Sequence, residues 1–574
     1  MVAPSELAPS VSIPDLLYAQ PAARLDATKV TQGVAFAYAV GEGGDLLASA
    51  LDEVSLGRSS FEPAHFAHEL FLDDLVRSCF NITACGRRYT PNRVSLARIL
   101  SHPPEDPASC AVRRDILLEL AESPALRTDL ERTYVELFTF RNLLCTSQQG
   151  GGSTPELHQH RIGVLRALKS ALEGLGSRFA STKSELRRIH VFGTAVVRRK
   201  SFADLSALLA HEDGLADVDL SLRIGADGSV RGFELMKIRE HESRYYKSPL
   251  SRFAARIVLF FRGYRFSELE VMARLLDEVF APFEGDVLYL LQLMQDLELY
   301  LGALSFRDLA LSRGLAVCIP EIVPPPSEQE HSPRDLRGLF NPLLLADRGV
   351  PKPCDLQSDR HDAIVVVTGP NSGGKTRLLQ AIAIAQMLAQ NGLFVPARHA
   401  RIAWTRGLFV SLHHEITADQ KEGRLGTELL RIRSLFEELR PGDLVVFDEL
   451  CSGTNPSEAE AIIRLVLNLL HELNPQVFVT THFLDFAAEL ESSPHTERLQ
   501  FLQAALDERN RPTYTFLPGV AKSALAAETA ARLGVTLEEL ASLVARRKAE
   551  RNRRASLPES LGHAAEFAEE AAAK

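Results

Sequence analysis

The seven cysteines are an odd number scattered from Cys79 to Cys451, and no CxxC pair stands among them. That excludes a disulfide framework and a zinc or redox site built on CxxC, and the thiols are expected to be reduced and mostly in the core. Long apolar runs are missing as well: none approaches the roughly 18 residues of a membrane span. The start, MVAPSELAPS, lacks the basic and then apolar stretch of a secretory signal. A cytoplasmic protein with no membrane partner is expected. Surplus positive charge is also absent, because 64 Lys+Arg against 74 Asp+Glu leave a net charge of -10. A small basic module coated with positive charge is thereby excluded, and any nucleic-acid contact is confined to local basic surfaces.

What the chain does have is ordinary globular composition. Hydrophobic residues at 45% and charged residues at 24%, with 35 Gly and 30 Pro, exclude a fibrous or wholly disordered chain. At roughly 150 residues per domain, its 574 residues suit about three to four domains. Residues 1–60 carry Pro4, Pro9, Pro14 and Pro21 among small residues and are expected to be a partly extended segment. From 61 to 330, stretches such as PALRTDLERTYVELFTFRNLL repeat apolar residues at three and four, the spacing of a helix stripe. QQGGGSTP, residues 148–155, interrupts them as a loop. Within this helical region VDLSLRIGADGSVRGFEL alternates on both sides of Asp227-Gly228, predicting a β insertion near 215–238. The proline-dense 319–335 makes a boundary, and 331–545 then reads as short β-branched strands separated by helices, a largely parallel sheet with helices packed on it. A basic and then Ala/Glu-rich tail fills 546–574.

Chemistry concentrates in that second half. GPNSGGKT, from Gly369 to Thr376, fits the phosphate-loop spacing of Gly, four residues, then Gly-Lys-Thr, with the apolar AIVVV before it and a helical TRLLQAIAIAQML after it. Backbone N–H groups of Gly369, Pro370–Ser372, Gly373 and Gly374, together with the helix N-terminus, would face one anion; proline itself contributes only its carbonyl and its turn. Lys375 would contact the outer phosphates and Thr376 would bind magnesium. The pattern calls for ATP with Mg²⁺. LVVFDE puts Asp448 and Glu449 at the C-terminal end of a buried strand, where such sheets bind ligands. Asp448 would hold the magnesium, and Glu449 would orient and deprotonate the attacking water. A third strand, QVFVTTHF, ends at His482, in place to sense the γ-phosphate. Trp404, the single tryptophan, lies in an apolar stretch and reads as core.

In this order, TGPNSGGKT, GLFVPA, LVVFDELCSGTN and TTHF resemble the ATPase domain of the MutS mismatch-repair proteins. PGVAKSALAAETAARLGV, residues 518–535, is similar to the family's segment after the sheet that helps dimerise, and ELFLDDL with the helices and hairpin is similar to its core, lever and clamp regions. The resemblance implies an α/β P-loop ATPase domain of the ABC/MutS type, preceded by a mainly α-helical core and lever with a β-hairpin clamp. It implies a homodimer through the ATPase domain and a nucleotide-gated clamp on double-stranded DNA, mismatched or branched, acting in mismatch repair or recombination control. It assigns Gly369, Asn371, Gly373, Gly374, Lys375, Thr376, Asp448, Glu449 and His482 to the nucleotide.

Departures from the family pattern temper the expected role. The family's mismatch reader uses a Phe-x-Glu wedge; the triplets here, Phe266-Ser267-Glu268 and Phe567-Ala568-Glu569, lie in a helical pattern and in the tail, which argues against direct mismatch reading. No room is expected for a C-terminal nuclease domain. QKEGRLGTELLRI, residues 420–432, stands where the family has its trans signature, with Glu428 on the signature glutamate and its serine missing. For DNA contact two basic stretches stand out: Arg244, Lys247, Arg252, Arg256, Arg262 and Arg265 with interleaved tyrosines, and Lys183, Arg187, Arg188, Arg198, Arg199 and Lys200. Two other classes compete with this reading, a nucleotide-gated scaffold with little turnover and an ABC-type ATPase subunit that does not act on DNA.

Overall fold

The structure, a computed structural model of the chain, describes residues 13–40, 44–61, 66–145, 154–212, 216–224, 230–240, 268–324, 333–346, 349–370, 372–412, 424–451, 454–493, 498–522 and 534–555. Helix starts earlier than the proline-rich beginning suggests. α1 (Ala27–Val40) and α2 (Gly44–Asp52) bury Val30, Val34, Ala37, Leu47 and Leu51, so the expected extended stretch to residue 60 gives way to packed helices from residue 27. The described part before Ala27 and residues 53–58 carry no helix or strand, and the former is fixed in place by helices that follow it.

Short elements come next: α3 (Phe66–Glu69), α4 (Leu72–Cys79) and the antiparallel pair β1 (Ile82–Ala84) and β2 (Arg87–Tyr89). α5 (Arg93–Ser101) and α6 (Pro107–Glu122) start where the sequence dictates. The side chains of Asn92 and Asp106 accept from the N–H groups of Ser95 and Ser109, satisfying first-turn donors, and Pro107 takes a position with no donor to lose. α7 (Pro124–Cys145), α8 (Thr154–Ser177), α9 (Arg187–Val197) and α10 (Lys200–Glu212) continue the bundle.

β3 (Ala216–Ile224) and β4 (Val230–Glu240) then form an antiparallel ribbon. Its register pairs Val218 with Ile238, Leu220 with Leu235 and Leu222 with Phe233, so apolar positions share one face. The ribbon packs against α10 and α11 (Glu268–Phe280), which supply the layer a two-stranded sheet needs.

The centre of the helical half is α12 (Glu284–Ser312), buried around its circumference over most of its length. Its buried polar side chains are used to hold the chain start. Asp296 accepts from the backbone N–H of Leu16 at 3.0 Å and from the Arg24 guanidinium. Gln292 accepts from Arg24 N–H at 2.7 Å and donates to the Ala22 carbonyl at 2.9 Å. Glu298 accepts from Asn92 N–H at 2.8 Å and from the Tyr134 hydroxyl at 3.1 Å.

The second half is built on two sheets. One, with strand order β5-β9-β6-β7, contains β5 (Glu321–Val323), β6 (Arg334–Leu339), β7 (Cys354–Ser358) and β9 (His399–Ala403). β5 lies inside the proline-dense segment and upstream of the expected boundary at 331. It sits on a sheet edge, where a lost N–H donor is tolerated. The other sheet, with order β10-β11-β12-β8-β13-β14 among the described residues, contains β8 (Ile364–Thr368), β10 (Leu408–Ser411), β11 (Leu444–Phe447), β12 (Gln476–Thr480), β13 (Leu499–Leu506) and β14 (Pro512–Pro518). All its pairings are parallel except β13 with β14. The central strands β8, β11 and β12 are buried at every position, as expected for a parallel sheet covered on both faces.

α13 (Lys375–Gln390) packs on β11 and β12, and its buried C-terminal end joins the helical half. There Asn391 donates to the Leu100 carbonyl at 2.9 Å and accepts from Arg113 at 2.7 Å, while Arg113 also donates to the Leu17 carbonyl. α14 (Arg424–Glu438), α15 (Pro456–Leu473) and α16 (Leu484–Ser492) complete the layers. α17 (Leu537–Ala555) carries the basic ARRKAERNRR stretch, exposed throughout its described side chains. Trp404 is buried, as the sequence predicts, and all seven cysteines are free, with four of them buried. No described helix is long and apolar enough to cross a membrane.

Candidate nucleotide site

β8 ends at Thr368, and the chain turns sharply into α13. Gly369 holds φ 132°, and a Cβ there would lie 2.8 Å from the Cβ of Ala504 on the neighbouring strand. Gly374 holds φ 89° at the helix entry, with room for little more than a hydrogen because Tyr514 stands 3.2 Å from where a Cβ would be. The positive φ values let the loop wrap back over the first turn of α13.

Inside that loop the Lys375 ammonium is buried and donates to the carbonyls of Gly369 and Pro370 at 3.0 and 3.2 Å. Burial lowers its pKa, and the nearby Glu449 and then Asp448 pull in the opposite direction. A buried cation held only by carbonyls and a carboxylate 3.8 Å away is a natural receiver for phosphate oxygens. Ser372 adopts φ 75° at the exposed rim. Pro370 is buried, and Asn371 lies outside the described residues.

The parallel register brings the carboxylates to this loop. β11 and β12 run beside β8, so all three C-terminal ends meet at one edge. Asp448 Oδ2 accepts from the Thr376 hydroxyl at 2.5 Å, and Oδ1 accepts from the Thr480 hydroxyl at 2.5 Å. Glu449 follows in a left-handed conformation, φ 49°, its N–H donating to Thr480 Oγ1 at 2.8 Å. Cys451 repeats the conformation at φ 58°. Two non-glycine residues at positive φ within three positions mark a strained strand exit. His482 lies just past β12, half-buried, with its ring tilted 41° against that of Phe483 at 4.1 Å between centroids.

A cavity of about 380 Å³ opens beside Gly374. Tyr514 from β14, Phe340 and Leu344 supply apolar walls, and Lys352 and Arg377 supply charge. The Lys352 ammonium sits 5.8 Å from the centre of the Tyr514 ring. This mostly apolar cavity shares Gly374 with the phosphate loop, which makes it a candidate place for a nucleoside base.

The profile of MutS domain V matches residues 365–547, spanning β8 to α17. Among curated relatives, Endonuclease MutS2 of Thermus thermophilus is 29% identical over 422 residues, 71% of this chain and 52% of its own length. Over residues 365–547, then, the chain is similar to MutS domain V. Endonuclease MutS2 of Thermomicrobium roseum is 29% identical over 282 residues, 48% of this chain and 34% of its own. Putative endonuclease MutS2 of Bacillus subtilis is 30% identical over 237 residues, 41% of this chain and 30% of its own. The chain thus spans about half of the first of these relatives and about a third of the other two.

In the matched region the structure brings Lys375, Thr376, Asp448 and Glu449 into one contact network. The partners that sequence reasoning missed are Thr480 and Tyr514. Thr480 was visible only as part of TTHF, and Tyr514 lies on an edge strand with no motif of its own.

One expectation needs correction. In the second basic stretch, Arg188 donates to the carbonyls of Asp15, Tyr18 and Ala19, and Arg199 pairs with Asp286 at 2.7 Å. Both hold the helical core together, so the exposed members are Lys183, Arg187, Arg198 and Lys200. Glu428 is buried near Cys451, where burial and then the glutamate's charge push the thiol up to about 11. The first basic stretch, Arg244 to Arg265, lies outside the described residues.

Proposed function

We propose that this chain is a magnesium-dependent ATPase of the MutS type, a cytoplasmic homodimer that uses nucleotide to open or close a helical clamp on double-stranded, mismatched or branched DNA in mismatch repair or recombination control. The observation that carries the reading is the joining of Thr376 to Asp448 at the mouth of a loop whose lysine stands 3.8 Å from Glu449. Thr376 and Asp448 would hold the magnesium ion, which supplies charge neutralisation along the phosphates. Gly369, Pro370, Asn371, Ser372, Gly373 and Gly374 would wrap the phosphates, and Lys375 would neutralise their outer oxygens. Glu449 would take the proton of the attacking water. His482 would orient that water or the γ-phosphate from the next strand. The base would enter the cavity beside Tyr514.

The exposed apolar ridge of α17, Leu540, Leu543 and Val544, supports dimerisation through the C-terminal half. DNA contact would fall to exposed cations of the helical half, with binding that is sequence-blind and weakens steeply with salt. A second reading, a nucleotide-gated scaffold with little turnover, is favoured by one observation, the burial of Glu428 within its own chain.

ATP turnover and DNA binding, measured with linear, mismatched and branched duplexes at two salt concentrations, decide between the two readings. Turnover stimulated by DNA supports the clamp, and tight ATP binding with negligible turnover supports the scaffold. Strand cleavage, which the relatives' names carry, is checked in the same samples by nicking of supercoiled plasmid.

A further inference from the structure

One carboxylate of the helical half, Glu69, reaches the edge of the nucleotide sheet. Asp448 donates its backbone N–H to the Ser411 carbonyl at 2.9 Å, tying the end of β11 to the end of β10. The next residue along β10, Leu412, donates its N–H at 3.1 Å to Glu69 Oε2, from the helical half. The other oxygen of the same carboxylate, Oε1, lies 3.5 Å from Arg431 on α14, one turn beyond Glu428. Glu69 therefore bridges three elements: the strand beside Asp448, the helix bearing Glu428, and α3.

Glu69 is anchored on its own side. Phe66, one turn earlier, is buried with its ring edge-on to Phe61 at 5.7 Å between centroids. α4 follows directly and packs on α12, with Cys79 reaching the Pro342 carbonyl. Around the bridge, by contrast, packing is open. A cavity of about 300 Å³ lies between Phe66 and Glu69 on one side and Val410, Ser411, Arg431 and Leu435 on the other. A cleft open to solvent here leaves the strand end and α14 room to shift against α3 while the carboxylate keeps hold of both.

We propose that Glu69 is a positioning residue that transmits the nucleotide state of the Asp448 site to the helical half. The proposal rests on the nucleotide-binding reading above but needs no DNA. A ligand that draws Asp448 or α14 toward the phosphate loop moves Leu412 N–H or Arg431, and Glu69 carries that shift to α3, α4 and α12. Without the carboxylate the two halves remain joined at Asn391 and Arg113, so the fold persists while this link is cut.

The test is hydrogen–deuterium exchange on the full chain with and without ATP and Mg²⁺, comparing wild type with Glu69→Ala, Glu69→Gln and Arg431→Met. In wild type, nucleotide is expected to change protection both at 364–380, around the phosphate loop, and at 72–84 and 286–300 in the helical half. In Glu69→Ala the change at 364–380 persists, with nucleotide affinity unaltered, and the change in the helical half falls about 2- to 30-fold, the range one residue carries in such chains. Glu69→Gln, which keeps an acceptor for Leu412 N–H, and Arg431→Met lose part of it, and both guard against misfolding of the alanine variant. A nucleotide response in the helical half that is equal in wild type and Glu69→Ala overturns the proposal, as does wild type that binds ATP without any response there. Failure of wild type to bind ATP instead overturns the reading of the site itself.

Discussion

The Thr480 hydroxyl donates to Asp448 Oδ1 at 2.5 Å and accepts from the N–H of Glu449 at 2.8 Å, so one buried side chain on β12 sets both acidic residues of β11. Thr480→Val keeps the shape and removes the hydroxyl. It leaves a buried N–H and a carboxylate oxygen without this partner, at about 1–3 kcal/mol of stability. Support lost behind a metal-binding carboxylate typically lowers metal affinity or activity about 10- to 100-fold. The expected outcome is a lower unfolding midpoint and a higher magnesium requirement for ATP turnover, with Thr480→Ser close to wild type.

Glu449 stands 3.8 Å from the Lys375 ammonium, within reach of the place where the outer phosphate would lie. Glu449→Gln removes the base and leaves Lys375, Thr376 and Asp448 intact. Turnover is expected to fall roughly 10²- to 10⁴-fold. Binding of ATP is expected to hold or tighten, because a negative charge beside the phosphates is gone. Equilibrium binding and steady-state hydrolysis on the same preparation check both halves, and unchanged turnover would remove the assignment.

How much of this was legible depended on how local each signal was. The phosphate loop and LVVFDE were readable because a strand, a turn of fixed length and a helix lie within a few residues of one another. Burial of β8, β11 and β12 on both faces gives the continuous apolar runs that mark a parallel sheet. α1 escaped notice because it packs on α2, α7, α8 and α12 at once, so ATKVTQGVAFAYAV shows no clean stripe beside the proline-rich start. Arg188 and Arg199 looked like free cations because their partners, the carbonyls of residues 15–19 and Asp286, lie far away in sequence. Glu69 was seen only as part of ELFLDDL, since its contact with Leu412 spans more than half of the chain. Side chains that act across such distances leave no periodicity to read.

Tyr514 holds φ 61° while its ring walls the cavity beside Gly374. A bulky residue at positive φ costs about 1–3 kcal/mol. Glycine at that position relieves the strain, though it frees the unfolded chain by a comparable amount. Tyr514→Gly is therefore expected to leave thermal stability near wild type. Loss of one aromatic contact to a base is worth about 1–3 kcal/mol, so nucleotide affinity falls roughly 5- to 150-fold. Tyr514→Phe retains the ring and serves as the control. Titration with ATP and with inorganic triphosphate separates the effects, because only the ligand with a base is expected to lose affinity.

Glu298 is buried on α12, and burial raises its carboxyl to about 7 against the opposing hydrogen bonds from Asn92 N–H and the Tyr134 hydroxyl. In the unfolded chain the same group titrates near 4.3. Between these values the folded state holds a proton that the unfolded state has released, so raising the pH through this window favours unfolding. The stabilisation is fully present below the unfolded value and is lost by the time pH passes about 7. Glu298→Gln stays neutral at every pH and keeps an acceptor for Asn92 N–H. It is expected to match wild type near pH 4.5 and to be more stable at pH 8 by about 3–4 kcal/mol, the free energy that separates an ordinary carboxyl from one raised to about 7. Denaturant unfolding at the two pH values checks this, and a wild-type-to-variant difference that does not change with pH would show that Glu298 is ionised in the folded state throughout.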